Sequence, residues 1–224
     1  MWSGLPLALT LMGCERLSGS QPAPTLASED DKTLYALGVA MGRSVRAFSL
    51  TPAELEAVKQ GLTDSVAGRP PSVPIEIYGP KLEEFAKARA ASFAQKEKAE
   101  GAAFLQAAAK EPGAVALPSG LVVKTLKPGS GPRPTAVDKV KVLYEGTFTD
   151  GAVFDSVRAG DPVELPLASA IPCWVEGVQK MRVGERARLI CPPQLAYGDE
   201  GRPPSMPGHA TLIFDIDLLG IVGR

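Results

Sequence analysis

The side chains best suited to act together lie between residues 144 and 214: Tyr144, Phe154, Asp155, Ile171, Trp174, Tyr197 and Phe214. All are aromatic or apolar except for a single acid, and both tyrosines carry a hydroxyl that can hydrogen-bond. Such a set can build a water-poor cradle with one or two polar handles. It holds no nucleophile beside a base, and it calls for no cofactor. A metal site is not indicated either, because His209 is the only histidine and neither Cys173 nor Cys191 stands at ligand spacing from it. Taken one at a time, each aromatic also fits plain core, the ordinary place for large rings in a sheet domain.

Those residues need a β scaffold, and the C-terminal half reads as one. Pro118-Ser119-Gly120 opens a strand over residues 121–126, and the Pro/Gly cluster at 128–132 closes it. Val140, Val142 and Tyr144 alternate with Lys139, Lys141 and Leu143. Leu212, Phe214, Ile216 and Leu218 alternate with Ile213, Asp215 and Asp217, which predicts a strand with one buried and one solvated face. A short helix interrupts at about 174–180. Asp138, Glu145 and the other scattered carboxylates are expected on a solvated surface.

The N-terminal half reads as helical, so the fold class is α+β. Ser28 with Asp31 makes an N-cap pair, and Glu29, Asp30 and Asp31 suit the positive helix start. Leu34, Leu37, Val39, Met41 and Val45 then form an apolar stripe. Thr51-Pro52-Ala53-Glu54 is a capping box with proline at the first helical position; Leu55, Val58, Leu62 and Val66 share one face, and Gly68 stands at the C-cap. A third helix over 81–110 would run about 45 Å at about 1.5 Å per residue. Its apolar points (Leu82, Phe85, Phe93, Phe104, Leu105) are sparse, which predicts a solvated linker helix, and Gly101 should weaken it by up to about 1 kcal/mol.

The chain has 224 residues and a formal net charge of -1, so it carries no basic footprint for nucleic acid. Residues 2–13 are apolar but fall short of the roughly 20 residues of a membrane-spanning helix. The run suits the core of a secretory signal of about 7–15 residues. It ends in Leu11-Met12-Gly13-Cys14, which resembles the bacterial lipobox and implies removal of residues 1–13 and lipidation of Cys14. No Lys or Arg precedes the run, and an ordinary signal or an uncleaved apolar tail are the alternatives. Residues 14–28, rich in Ser, Pro, Gly and Ala from Ser18 on, read as a flexible tether. The expected location is the periplasmic side of a bacterial cell envelope, anchored at the outer membrane.

In the order Tyr144-Glu145-Gly146, Asp150-Gly151, Phe154-Asp155-Ser156, Ile171, Trp174, Ala196-Tyr197-Gly198 and residues 209–214, the C-terminal set resembles the FK506-binding-protein (FKBP) class of peptidyl-prolyl cis/trans isomerases. Residues 35–42 (Tyr-Ala-Leu-Gly-Val-Ala-Met-Gly) and 60–68 are similar to the N-terminal region of macrophage-infectivity-potentiator-like FKBPs. The resemblance implies an intertwined helical dimerisation region at 29–80, a connecting helix at 81–112, and an isomerase domain at 113–224 whose curled antiparallel sheet wraps a short helix.

It also implies roles. Trp174 floors the pocket and carries the proline ring, with Tyr144, Phe154, Ile171 and Phe214 as walls and Val163 and Met206 completing them. The Tyr197 hydroxyl and the Ile171 backbone N–H would hold substrate carbonyls, and Asp155, held among aromatics, would orient a carbonyl or the pocket tyrosine. Arg202 would stand on a stiff cationic rim, and His209 would open the last strand without a catalytic part. Implied partners are proline-containing unfolded or folding polypeptides, a second copy of the chain, and FK506- or rapamycin-like macrolides as inhibitors. The alternative is a dimeric chaperone with weak isomerase activity. Cys173 takes a slot where the family usually has glycine, and Cys191 shares strand parity with Ala187 and Leu189. Either a Cys173–Cys191 bridge or two buried thiols would follow.

Overall fold

The computed structural model describes residues 25–158, 160–202 and 206–223. The signal at 1–13, Cys14 and most of the tether lie outside the described residues.

Helix α1 is Glu29–Ser44. Its start is closed reciprocally: the Asp31 N–H donates to Ser28 Oγ and the Ser28 N–H to Asp31 Oδ2, each at 3.0 Å. A single 3-10 turn, Arg46–Phe48, leads to α2, Pro52–Val66. There the Thr51–Glu54 capping box forms as the residue order predicts, and Glu54 also pairs with Arg89. A further short helix, α3 (Ile75–Tyr78), precedes the long α4, Lys81–Ala108.

The strands are β1 Ala114–Ala116, β2 Val122–Lys127, β3 Lys139–Phe148, β4 Val153–Val157, β5 Val163–Pro166, β6 Arg186–Cys191 and β7 Leu212–Ile221, with α5, Pro172–Val178, between β5 and β6. They form one antiparallel sheet in the order β1-β2-β6-β7-β3-β4, with β5 paired to the first half of β3. The alternation read in β3 and β7 puts Val140, Val142, Leu212, Ile216 and Leu218 on one face. There they pack with Trp174 and Val178 of α5 in the main core.

Two expectations fail for one reason. The outer face of β7 is not solvated, since Ile213 and Asp215 are buried as well. Nor is α4 a free rod: Phe93, Glu97, Gly101 and Ala108 are buried along it. Its C-terminal end covers the sheet, with Phe104, Leu105 and Ala108 against Val122, Ile190 and Ile213. Gly101 permits that approach, because a Cβ there would overlap the Thr211 hydroxyl at the head of β7. The glycine that should weaken the helix is where the helix meets the sheet. Asp215 is covered by Arg188, which bonds it at 2.7 and 2.9 Å, and by Arg186 at 3.5 Å.

His209 departs from a simple strand opener, since β7 starts only at Leu212. It takes a left-handed conformation (φ 59°), its N–H donates to the Gly198 carbonyl at 3.0 Å, and Nδ1 lies 2.9 Å from Asp199. It fastens Gly198 and Asp199 to the segment that leads into β7.

Candidate functional site

Trp174 sits on α5, 6 % exposed, and other rings stand edge-on to it. Tyr144 of β3 meets it at 5.0 Å between centroids with an interplanar angle of 85°, and Phe214 of β7 at 5.4 Å and 90°. Phe154 of β4 is in turn perpendicular to Phe214 at 5.5 Å and leans on Phe148 at 5.0 Å. Edge-to-face contact is the favoured geometry for such rings. Gly146 makes the cluster possible: it pairs with Phe214 on one side and Asp155 on the other. A Cβ there would come within 2.6 Å of the Phe154 ring and 3.1 Å of the Phe214 ring.

The indole is also fixed from behind. Gly177, one turn further along α5, lies so close to β6 that a Cβ would be 2.6 Å from Leu189 Cδ1. On the preceding turn Cys173 and Cys191 are joined as a disulfide across a Cα–Cα distance of 5.7 Å, both fully buried. Trp174 therefore stands between a covalent tie and a close helix–strand contact. Its Nε1–H is buried with no hydrogen-bond partner among the described residues.

Tyr144 and Tyr197, partly buried against this cluster, supply its hydroxyls. The Tyr144 hydroxyl donates to Asp155 Oδ2 at 2.6 Å. Burial, reinforced by the Asp155 carboxylate, pushes its ionisation far above the ordinary phenol range, so it stays a donor. Asp155 itself is exposed, which corrects the expectation of an acid enclosed by aromatics. Ile171 caps α5 in an extended conformation, its carbonyl accepting from the N–H groups of Trp174 and Val175 at 2.9 and 3.1 Å. Ile171 and Tyr197 are half-buried against the core, and Met206 is buried in it.

Arg202 is exposed with its guanidinium 5.5 Å from the Tyr197 ring centroid, and its backbone pairs with Met206 through bonds of 2.9 and 3.0 Å. Val163 stands apart. It pairs with Val142 at the start of β5 and is not among the described residues packed on the aromatic core. The structure adds Phe148 and Gly146, which sequence reasoning passed over as site residues. Both share β3 parity with Tyr144, and that alternation was the available signal.

Comparison with known proteins agrees with this geometry. Residues 131–219 match the family model of the FKBP-type peptidyl-prolyl cis-trans isomerase, and residues 30–124 match the domain amino terminal to FKBP-type peptidyl-prolyl isomerase. The chain is 36 % identical over 223 residues to the FKBP-type peptidyl-prolyl cis-trans isomerase FkpA of Aeromonas hydrophila, spanning 92 % of this chain and 83 % of that one. The chain belongs to the FKBP-type peptidyl-prolyl cis-trans isomerases. It is also 34 % identical to the outer membrane protein MIP of Legionella longbeachae, over 89 % of this chain and 88 % of the relative. The crystal structure of FkpA from Escherichia coli superposes with a TM-score of 0.61 at 29 % identity, covering 87 % of this chain and 97 % of that one. Both halves of this FKBP thus have counterparts in the family, and its substrates are prolyl peptides.

Proposed function

We propose that the Trp174 cradle is where the prolyl bond turns, by a mechanism that needs no covalent step. An X-Pro bond isomerises in tens to hundreds of seconds because planarity conjugates the nitrogen lone pair with the carbonyl, giving a barrier of about 18–20 kcal/mol. Twisting breaks that conjugation, so the transition state is less dipolar than the planar amide. A dry aromatic site disfavours the planar form relative to the twisted one, which is differential binding of the transition state. The observation that carries this reading is the pair of rings, Tyr144 and Phe214, set edge-on around a buried Trp174 whose helix is tied to β6.

In this reading the proline ring rests on Trp174, between Phe154 and Phe214. The Tyr197 hydroxyl donates to the carbonyl of the residue before proline, the Ile171 N–H holds the next carbonyl, and Asp155 orients the Tyr144 hydroxyl. Arg202 and Met206 border the opening. FK506- and rapamycin-like macrolides are the expected inhibitors.

The setting we propose is folding of exported proteins at the bacterial envelope, with the chain lipidated on Cys14 and held on the periplasmic face of the outer membrane. The lipobox-like residues 11–14 and the relative named an outer membrane protein support it. A homodimer through the helical region is supported by apolar side chains left open there, including Leu34, Leu37, Met41, Leu62 and Val66. The same exposed faces favour a second reading, in which they hold unfolded chains while the pocket plays a smaller part. Exchange NMR on an Ala-Leu-Pro peptide tests the first reading. FK506-sensitive acceleration is expected, and a folded protein without acceleration leaves the chaperone reading.

A further inference from the structure

A groove of about 530 Å³ runs along the outer face of α5, and no step described so far uses it. Pro172, Val175, Glu176 and Gln179 line it at the three- and four-residue spacing of one helix face. Cys173, Trp174, Gly177 and Val178 turn the other way and are buried. Ala170 and Pro172, the residues on either side of Ile171, both belong to the lining, so the groove starts at the Ile171 edge of the aromatic cradle. Leu195 lines it as well, two residues before Tyr197.

Glu176 is the only charged side chain among the lining residues; the rest are apolar apart from one amide. That amide is engaged, because Gln179 Nε2 donates to the Val175 carbonyl at 2.5 Å. Glu176 is half-buried, and among the described residues no hydrogen bond or ion pair holds its carboxylate. A charge in that position has given up part of its hydration with nothing in return, so an arriving cation is favoured. Apolar walls beside one such carboxylate suit a lysine or arginine, which lays its methylene stem on apolar surface and sets its charged head on a polar group.

We infer that this groove is a downstream subsite of the isomerase, taking a basic side chain one to three residues after the proline of a polypeptide substrate. The inference rests on the reading of Trp174 as the prolyl site, which also gives the bound chain its direction. With the Tyr197 hydroxyl on the carbonyl before proline and the Ile171 N–H on the next one, the chain leaves the cradle past Ile171. Three extended residues at about 3.3 Å each cover about 10 Å, which is also the length of a seven-residue helix such as α5 at about 1.5 Å per residue. The groove's volume lies within the range of about 300–1,000 Å³ usual for binding sites. The Tyr197 side carries the opposite sign, with Arg202 exposed over that ring. A basic residue is therefore read after the proline and not before it.

The test is exchange NMR on C-terminally amidated Ala-Leu-Pro-Phe peptides extended by one residue after the phenylalanine: lysine, glutamine or glutamate. A fourth peptide carries its lysine two residues before the proline instead. The wild type should favour downstream lysine over glutamine by about threefold in kcat/KM, the scale of a solvent-exposed charge pair, with glutamate poorest. The gain should lie in KM, because the contact is equal in the planar and twisted forms of the bond. Glu176→Gln should erase the preference and Glu176→Lys should reverse it towards glutamate, with no gain from the upstream lysine in any of the three proteins. Equal rates of the wild type on downstream lysine and glutamine, or a preference that survives in both variants, overturn the subsite and leave the prolyl site standing. An upstream lysine favoured as strongly as the downstream one assigns the effect to the field of the whole protein and overturns the subsite too. Failure of the wild type to accelerate any of the peptides strikes the prolyl reading, and the subsite falls with it.

Discussion

The sheet domain and the helical region use apolar periodicity with the same regularity and reach opposite ends. In β7, Leu212, Ile216 and Leu218 are fully buried within one chain. In α2, Leu55, Val58 and Leu62 stay 42–44 % exposed, and Val66 is 81 % exposed. A curled sheet closes over its own helix, so its alternation is satisfied internally. Helical stripes of this kind need a surface from elsewhere, and a contiguous apolar face on a folded chain marks an interaction site. The lesson is that the chain completes one core alone and leaves a second apolar face open, the face on which the proposed dimer rests.

The strongest way to break that contrast is to charge the helical stripe. If the helical face forms the proposed dimer, Leu62→Glu together with Leu37→Lys should give a monomer where the wild type sediments as a dimer, while the sheet domain melts unchanged. A coincident loss of sheet stability would mean the two cores are one. Next in size is the tie behind Trp174. Replacing both Cys173 and Cys191 with alanine should lower unfolding free energy by about 3 kcal/mol in denaturant titrations, the usual scale for such a bridge, and blunt the near-ultraviolet signal of the indole.

Gly101→Ala sharpens the comparison at the place where helix meets sheet. On a solvated helix the change would stabilise by up to about 1 kcal/mol. Against Thr211 it should destabilise by about 1–3 kcal/mol through overpacking, so the sign alone decides. The smallest effect concerns Glu97 on α4, buried with Oε2 unpartnered. Burial raises its carboxyl above the usual range; Arg46 and Lys96 oppose that shift, and Asp150 and Glu100 add to it. With the folded-state value above the unfolded one, the stability it contributes is full at low pH and is lost as pH rises through the folded value. Glu97→Gln should therefore match the wild type near pH 4 and melt higher than it at pH 8.

How much of this was legible in the residues follows from how each feature is encoded. Helix caps are local, and Ser28–Asp31 and Thr51–Glu54 form as their spacing predicts. The aromatic cradle was legible because strand parity and the short helix place Tyr144, Trp174 and Phe214 on one face. The cover on the back of the sheet was not, since α4 makes it partly through a missing side chain at Gly101 and a small one at Ala108. A sparse apolar pattern hides such contacts. The ion pair of Arg46 with Asp150 was hidden more deeply, because it joins residues 104 positions apart. Short β1, β4 and β5 offer too few residues for alternation to show.

The central claim is that catalysis belongs to the Trp174 cradle and not to the open helical faces. Exchange NMR on an Ala-Leu-Pro-Phe peptide, run with the wild type and with Trp174→Leu, tests it most directly. The account predicts clear acceleration by the wild type and a loss on the order of a hundredfold in the variant, about 2.7 kcal/mol of transition-state stabilisation, with folding and oligomeric state intact. Equal acceleration by a folded Trp174→Leu protein would contradict it.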